Sequence, residues 1–132
     1  MKECVFCNKD SLEIIAENEL ALAFYDACPA SKGHTLVIPK RHVETYFDTS
    51  PEEHYAIIRL IFKVRLYLDK KYRPDAYNIG ANVGREAGQT VFHFHIHIIP
   101  RYRGDVEDPR GGLRKIIPFR SSRRDCNKTG RH

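Results

Sequence analysis

The chain has no apolar run approaching the ~20 residues that a membrane span requires. Its start, Met1-Lys-Glu-Cys4, lacks the apolar stretch of a secretory signal. Those absences argue against a membrane protein, and the expected compartment is the cytoplasm. Cysteine is sparse, with four in 132 residues. In a reducing compartment they read as thiols or metal ligands, not as a disulfide framework. No internal repeat, low-complexity block or long linker divides the sequence, and 132 residues support one domain with an adequate core. A hydrophobic content of 42% excludes wholesale disorder. The net charge is +5, and Arg120, Arg123, Arg124, Lys128 and Arg131 all follow Phe119. Residues 1–118 are therefore read as the domain and residues 119–132 as a basic, frayed tail. The tail reads as a solvated terminus, with no specific nucleic-acid partner expected.

The most informative segment is His93-Phe-His-Ile-His-Ile-Ile99. A strand has a side-chain period of two, so His93, His95 and His97 would share one face and Phe94, Ile96 and Ile98 the other. Adjacent imidazoles repel once charged, which makes the array costly as a plain sheet surface. It suits metal binding, nucleophilic attack or proton transfer near neutral pH. The preceding loop, Gly84-Arg-Glu-Ala-Gly-Gln-Thr90, can bring main-chain N–H groups close to an anion. Gln89 and Thr90 add side-chain donors, and Asn82 could reach in from the strand before.

Leu20–Tyr25 and Thr35–Ile38 read as strands, separated by loop residues Pro29–His34. Ser50-Pro-Glu-Glu53 carries an N-cap, a proline at the first helical position and a capping-box glutamate. Ile57, Ile61, Val64, Leu68 and Tyr72 follow at helical spacing as a core-facing stripe, with Arg59, Lys63 and Lys70 opposite. Pro74 ends the helix, Tyr77–Gly80 begins another strand, and Val91–Ile99 is the histidine strand. The order β-β-β-α-β-β with short connections predicts an α+β fold, an antiparallel sheet packed on a helix.

Three histidines in alternation with apolar residues resemble the signature of the histidine triad family of nucleotide hydrolases and transferases. Gly33-His-Thr-Leu-Val-Ile-Pro-Lys-Arg-His42 and Gly88-Gln-Thr-Val91 agree with it, and the resemblance runs from about Cys4 to Arg103. Pro100-Arg101, Arg103-Gly-Asp105 and Asp108–Leu113 resemble the microbial diadenosine polyphosphate hydrolase branch more than the phosphoramidase branch. The resemblance implies a five-stranded antiparallel sheet, one long helix, a short N-terminal helix and a homodimer. It implies that His95 is the nucleophile at the α-phosphorus and that His97 assists the leaving group. Gly88, Gln89, Thr90 and Asn82 would hold the phosphates and Asp26 the ribose. Phe6 and Phe24 would wall the base or simply pack in the core, and His34 would support the site from the neighbouring strand. Keeping His97, where a phosphorylase-like relative has glutamine, favours hydrolysis.

Cys4-Val-Phe-Cys7 suits one half of a tetrahedral zinc site, the alternative being two reduced, unliganded cysteines. By the same resemblance a structural zinc would take Cys4, Cys7, His42 and His93. Cys28 and Cys126 read as ordinary thiols, and His54 and His132 as exposed. The expected substrate is a dinucleoside polyphosphate. The rivals are an adenosine phosphoramidate or acyl-adenylate, or a nucleotide-binding or zinc-stabilised module with negligible turnover.

Overall fold

The structure is a computed structural model that describes residues 4–117. The expected basic tail, 119–132, lies outside the described residues. The chain divides into two units, one ending at Arg101 and one beginning at Tyr102.

The first unit contains five strands and one long helix: β1 (Ile14–Glu17), β2 (Ala21–Tyr25), β3 (Thr35–Pro39), α1 (Pro51–Tyr72), β4 (Ala76–Gly80) and β5 (Ile96–Arg101). All pairings are antiparallel, in the order β1-β2-β3-β5-β4. The short N-terminal helix is a single 3₁₀ turn, Lys9–Ser11. β2 and β3 are buried along nearly their whole length, because both faces are covered. On one face Ala21, Ala23 and Val37 join Ala56, Ile57, Leu60, Val64 and Leu68 of α1, together with Phe94 and Ile98. On the other, Leu22, Phe24, Leu36 and Ile38 form a smaller core closed by Phe6 and Leu12.

The capping box forms as expected: Glu53 N–H donates to Ser50 Oγ at 3.1 Å, and Ser50 N–H donates to a Glu53 carboxylate oxygen at 2.8 Å. Glu53 is also gripped by the Arg41 guanidinium, at 2.7 and 2.9 Å. The helix stops at Arg73, which adopts a left-handed conformation just before Pro74. The core stripe differs in detail from the expected one. Ala56 and Leu60 are fully buried, whereas Ile61 and Tyr72 only flank the core. Tyr55, Ile58, Phe62 and Leu66 form a second apolar stripe that faces outward. His54, expected to be exposed, is half-buried and packs edge-on against Tyr46 at 4.7 Å.

The histidine strand is shorter than expected. Ladder pairing begins at Ile96, and only Thr35–Val37 of β3 pairs with Ile96–Ile98 of β5. Pro39 explains the early stop: it has no N–H to give a ladder, and its carbonyl accepts from His93 Nε2 at 2.8 Å. Phe94 N–H donates instead to Val43 O at 2.7 Å. The alternation survives in this irregular stretch, since Phe94 and Ile98 enter the core while the histidines turn to the other side.

In the second unit, Asp105 N–H donates to Tyr102 O at 2.9 Å, Asp108 pairs with Arg110 at 3.0 Å, and Gly112–Ile116 forms a 3₁₀ turn. No helix among the described residues is long and apolar enough to cross a membrane.

Leu60→Ala should test which residues carry the main core. Loss of its buried side chain is expected to cost about 2–5 kcal/mol, read from denaturant midpoints.

Candidate active site

Beside the smaller core lies a cavity of about 680 Å³. Phe6, Leu12, Phe24 and Leu36 give it an apolar end, Asp26 stands on its wall, and Asn82, Gly88, Thr90, His95 and His97 mark a polar end. β3 and β5 supply the histidines. His97 lies opposite Leu36 in the ladder, and His34 is two residues before Leu36, so His34 and His97 meet on the same face. Their ring nitrogens, His34 Nε2 and His97 Nδ1, are 3.0 Å apart.

Main-chain partners assign the tautomers. Ala30 N–H donates to His34 Nδ1 at 2.9 Å, so the His34 proton sits on Nε2 and is given to His97 Nδ1. His97 then carries its own proton on Nε2. His95 Nδ1 donates to the carbonyl of His93 at 2.8 Å, which leaves His95 Nε2 with a free lone pair. His93 donates through Nε2 to Pro39 O, leaving Nδ1 as its free nitrogen. One imidazole is thereby prepared to attack and its neighbour to donate.

Burial disfavours the charged forms of His97 and His34. It pushes the His97 pKa down to about 4, reinforced by the nearby His95 and His34. Burial also lowers His34, partly offset by the Asp26 carboxylate 3.5 Å away. With its Nε2 proton directed to His97, neutral His34 has the Asp26 carboxylate as an electrostatic neighbour and not as an ion-pair partner.

Two groups of side chains bring potential metal-ligating atoms within 4.8 Å of one another. In the first, His93 Nδ1 lies 3.4 Å from Cys4 Sγ and 3.5 Å from Cys7 Sγ, and His42 Nδ1 lies 3.4 Å from Cys7 Sγ. A tetrahedral ion with metal–sulfur distances of ~2.3 Å and metal–nitrogen distances of ~2.0–2.1 Å needs ligand separations of this size. The free nitrogen of His93 is the one facing the sulfurs, and its other nitrogen is anchored to the main chain, as metal-bound imidazoles require. These four residues fit a closed metal centre. The second group is Asp26, His34 and His97. Its wiring opposes a metal: an ion on His34 Nε2 would drive the proton to Nδ1, which faces the Ala30 N–H. That group is a hydrogen-bonded relay.

The CxxC turn, with Cys7 N–H donating to Cys4 O at 3.1 Å, carries Phe6 between its cysteines. Phe6 meets His95 edge-on at 5.2 Å and Phe24 at 5.1 Å, so the candidate metal centre and the cavity share a wall.

The phosphate loop is built differently from the expectation. The N–H groups of Ala87, Gly88 and Gln89 are consumed within the 3₁₀ turn at Arg85–Ala87. The Gln89 side chain is buried. It donates to Glu44 O at 2.6 Å and Val91 O at 3.1 Å, and accepts from Gly84 N–H at 2.8 Å. Gln89 therefore staples the loop and is absent from the cavity lining. Gly88, at φ +97°, adopts a conformation that side-chained residues avoid. Among the described residues, the donors at the polar end with no partner are the N–H groups of Thr90 and Val91, the Thr90 hydroxyl and the Asn82 amide. Val5, Leu12, Leu36 and Val91 are lining residues the sequence did not single out. For Leu36 the signal was there, since it shares a strand face with His34.

A five-stranded antiparallel sheet with three linked imidazoles over an anion-sized cavity defines a histidine triad protein. The HIT domain family matches residues 9–104, and the chain belongs to it. It is 47% identical over 118 residues to an uncharacterized HIT-like protein of Methanocaldococcus jannaschii, covering 86% of this chain and 91% of that one. It is 43% identical to the adenosine 5'-monophosphoramidase of Schizosaccharomyces pombe, covering 74% of each chain. A bis(5'-nucleosyl)-tetraphosphatase from the same yeast is 38% identical, over 73% of this chain and 53% of the relative. The crystal structure of a zinc-bound histidine triad family protein from Mycobacterium smegmatis aligns with a TM-score of 0.71 at 34% identity, covering 97% of this chain and 88% of that one.

The lowered pKa values carry a pH signature. Folded His97 and His34 take up protons less readily than in the unfolded chain, where histidine titrates near 6.5. Their contribution to stability is complete above that value and is lost as pH falls below it, for His97 toward about 4. Denaturant midpoints should fall across that window, by up to about 1.4 kcal/mol per pH unit for each histidine. His97→Asn should flatten the slope.

Proposed function

We propose that this protein is a nucleotide hydrolase that cleaves dinucleoside polyphosphates at the α-phosphate through a nucleotidyl-histidine intermediate. The observation that carries the reading is the pair of opposed tautomers. His95 offers a bare Nε2 and His97 a protonated one, both at the polar end of one cavity. His95 Nε2 forms a bond to the α-phosphorus while the bond to the bridging oxygen breaks. The departing oxygen leaves as part of a phosphate anion, its growing charge held by a hydrogen bond from His97 Nε2–H. His34 Nε2–H steadies the far side of that ring. Water then attacks the phosphorus and displaces His95 Nε2, its surplus proton passing to solvent, which splits one difficult displacement into two easier ones.

The N–H groups of Thr90 and Val91 and the side chains of Thr90 and Asn82 face the non-bridging oxygens, where fixed donors stabilise the growing negative charge. Gly88 lets the backbone pass close by, and Gln89 acts indirectly by holding the loop. Asp26 accepts from ribose hydroxyls, while Phe6 and Phe24 flank the base together with Leu12 and Leu36.

In the first metal group the ion is structural zinc, held by Cys4, Cys7, His42 and His93, a reading the thiolate-rich donor set favours. It ties the N-terminal turn to the sheet, and catalysis falls to His95 and His97. Thiol ligands suit a reducing compartment, consistent with a cytoplasmic location. A homodimer is supported by the outward stripe, in which Phe62 is 71% and Leu66 68% exposed, a costly pattern for an isolated chain.

The second reading, cleavage of an adenosine phosphoramidate, has one observation in its favour: the phosphoramidase is more similar to this chain than the tetraphosphatase is. Side-by-side turnover decides between them. Diadenosine tetraphosphate is expected to be cleaved at least about tenfold faster than adenosine phosphoramidate, a barrier difference of ~1.4 kcal/mol; the reverse order would establish the second reading. His95→Ala should lower turnover by more than about 10³-fold while nucleotide binding persists, since a nucleophile is removed and the cavity is not. Retention of a tenth of the activity would end its assignment as nucleophile.

Elemental analysis of protein purified without added metal is expected to find about one zinc per chain. Cys4→Ser should lower zinc content and melting temperature together, because metal bound only by the folded chain stabilises it.

A further inference from the structure

We propose that a second groove, across Thr90 from the cavity, is the subsite for the departing nucleoside of a dinucleoside polyphosphate. This rests on the polyphosphate reading and adds where the other half of the substrate sits. The groove encloses about 560 Å³ and is lined by Val5, Glu44, Arg85, Thr90, Val91 and Phe92, and, where it borders the candidate metal centre, by Cys4 and His42. That volume is within the range of small-molecule sites. It shares Val5, Thr90 and Val91 with the first cavity, so the two sites are separated by a single layer of residues. The shared residues include the unpartnered N–H groups and hydroxyl that face the phosphates. A polyphosphate chain held there reaches both sides.

A dinucleoside polyphosphate has two bases and two riboses, whereas the first cavity has a single apolar end; of its two carboxylates, Glu13 and Asp26, Asp26 stands beside His34. The groove repeats those parts. Phe92 is 37% and Val5 57% exposed, and they offer an apolar platform for a base. The carboxylate of Glu44 and the guanidinium of Arg85 both line it, and among the described residues neither makes a side-chain hydrogen bond or ion pair. Glu44 suits the hydroxyls of a ribose. Arg85, next to the phosphate loop, suits the far phosphates or the face of the base. Gln89 holds the groove to its shape, because its side chain joins the loop to the main chain of Glu44 itself. Neither charged side chain is needed by the chemistry at His95, which leaves their placement otherwise unexplained.

Calorimetric binding separates this from catalysis. The probes are a diadenosine tetraphosphate with methylene groups replacing both nucleoside-proximal bridging oxygens, which cannot be cleaved at the α-phosphorus from either end, and AMP, which fills only the first cavity. The dinucleotide should bind wild-type protein more tightly than AMP. Arg85→Ala and Phe92→Ala should each weaken the dinucleotide by about tenfold, in keeping with loss of a charged contact or a stacked base. AMP affinity should stay within about twofold, which also reports an intact fold. Glu44→Gln should give a smaller loss with the same selectivity. An unchanged dinucleotide affinity, an equal loss for both probes, or wild-type protein that binds the two alike would overturn the subsite. The hydrolase reading is judged on turnover alone, so its failure is distinguishable from this one.

Discussion

The hydrogen bond from His95 Nδ1 to the carbonyl of His93 sets the direction of everything around it. An imidazole has two nitrogens and, when neutral, one proton, so whatever holds one nitrogen decides what the other can do. His95 is held by the chain two residues before it, His34 by Ala30 N–H and His93 by Pro39 O. In each case the anchor belongs to the main chain, which cannot rotate away as a side chain can. Three chemically identical rings thereby present different nitrogens: His95 a bare Nε2, His34 an Nε2–H turned to His97, and His93 an Nδ1 turned to the cysteine sulfurs. Burial keeps the relay neutral, so the assignment holds at physiological pH.

The same economy links the two ends of the site. The turn that presents Cys4 and Cys7 also places Phe6 against His95 and over the smaller core. The candidate metal centre, the cavity wall and His95 thus form one contiguous packing unit, in which His93 faces the cysteine sulfurs through its side chain and anchors His95 through its carbonyl. A substitution at the cysteines reaches the cavity through the position of an aromatic ring, without any change in the reacting groups.

The sequence made the triad legible because alternation is a local property: each histidine is two residues from the next whether or not the ladder forms. It could not reveal that Pro39 would end the ladder before His95, since that depends on which residues face each other across strands. Gln89 looked like a ligand because it is polar and sits in a glycine-bearing loop. Its burial against Glu44 O follows from a contact 45 residues away. Leu60 and the outward stripe were obscured for another reason. α1 is apolar on two sides, and a period of 3.6 cannot say which of two stripes meets the sheet. Strands β2, β3 and β4 were found almost to the residue, while the short edge strand β1, half-exposed and without strong patterning, was implied only by the order of elements.

The sheet is stitched unevenly. β2 and β3 share five register pairs, as do β4 and β5, but only three join β3 to β5. Two tight hairpin-like halves therefore meet along a narrow seam, and the contact between His34 and His97 lies across it. Parting that seam by one or two rungs would separate the relay from its partner while both halves stay folded. A junction of three rungs, no wider than the one that joins edge strand β1 to β2, thus holds the relay together, and partial opening there would undo the proposed site well before the helix unravels.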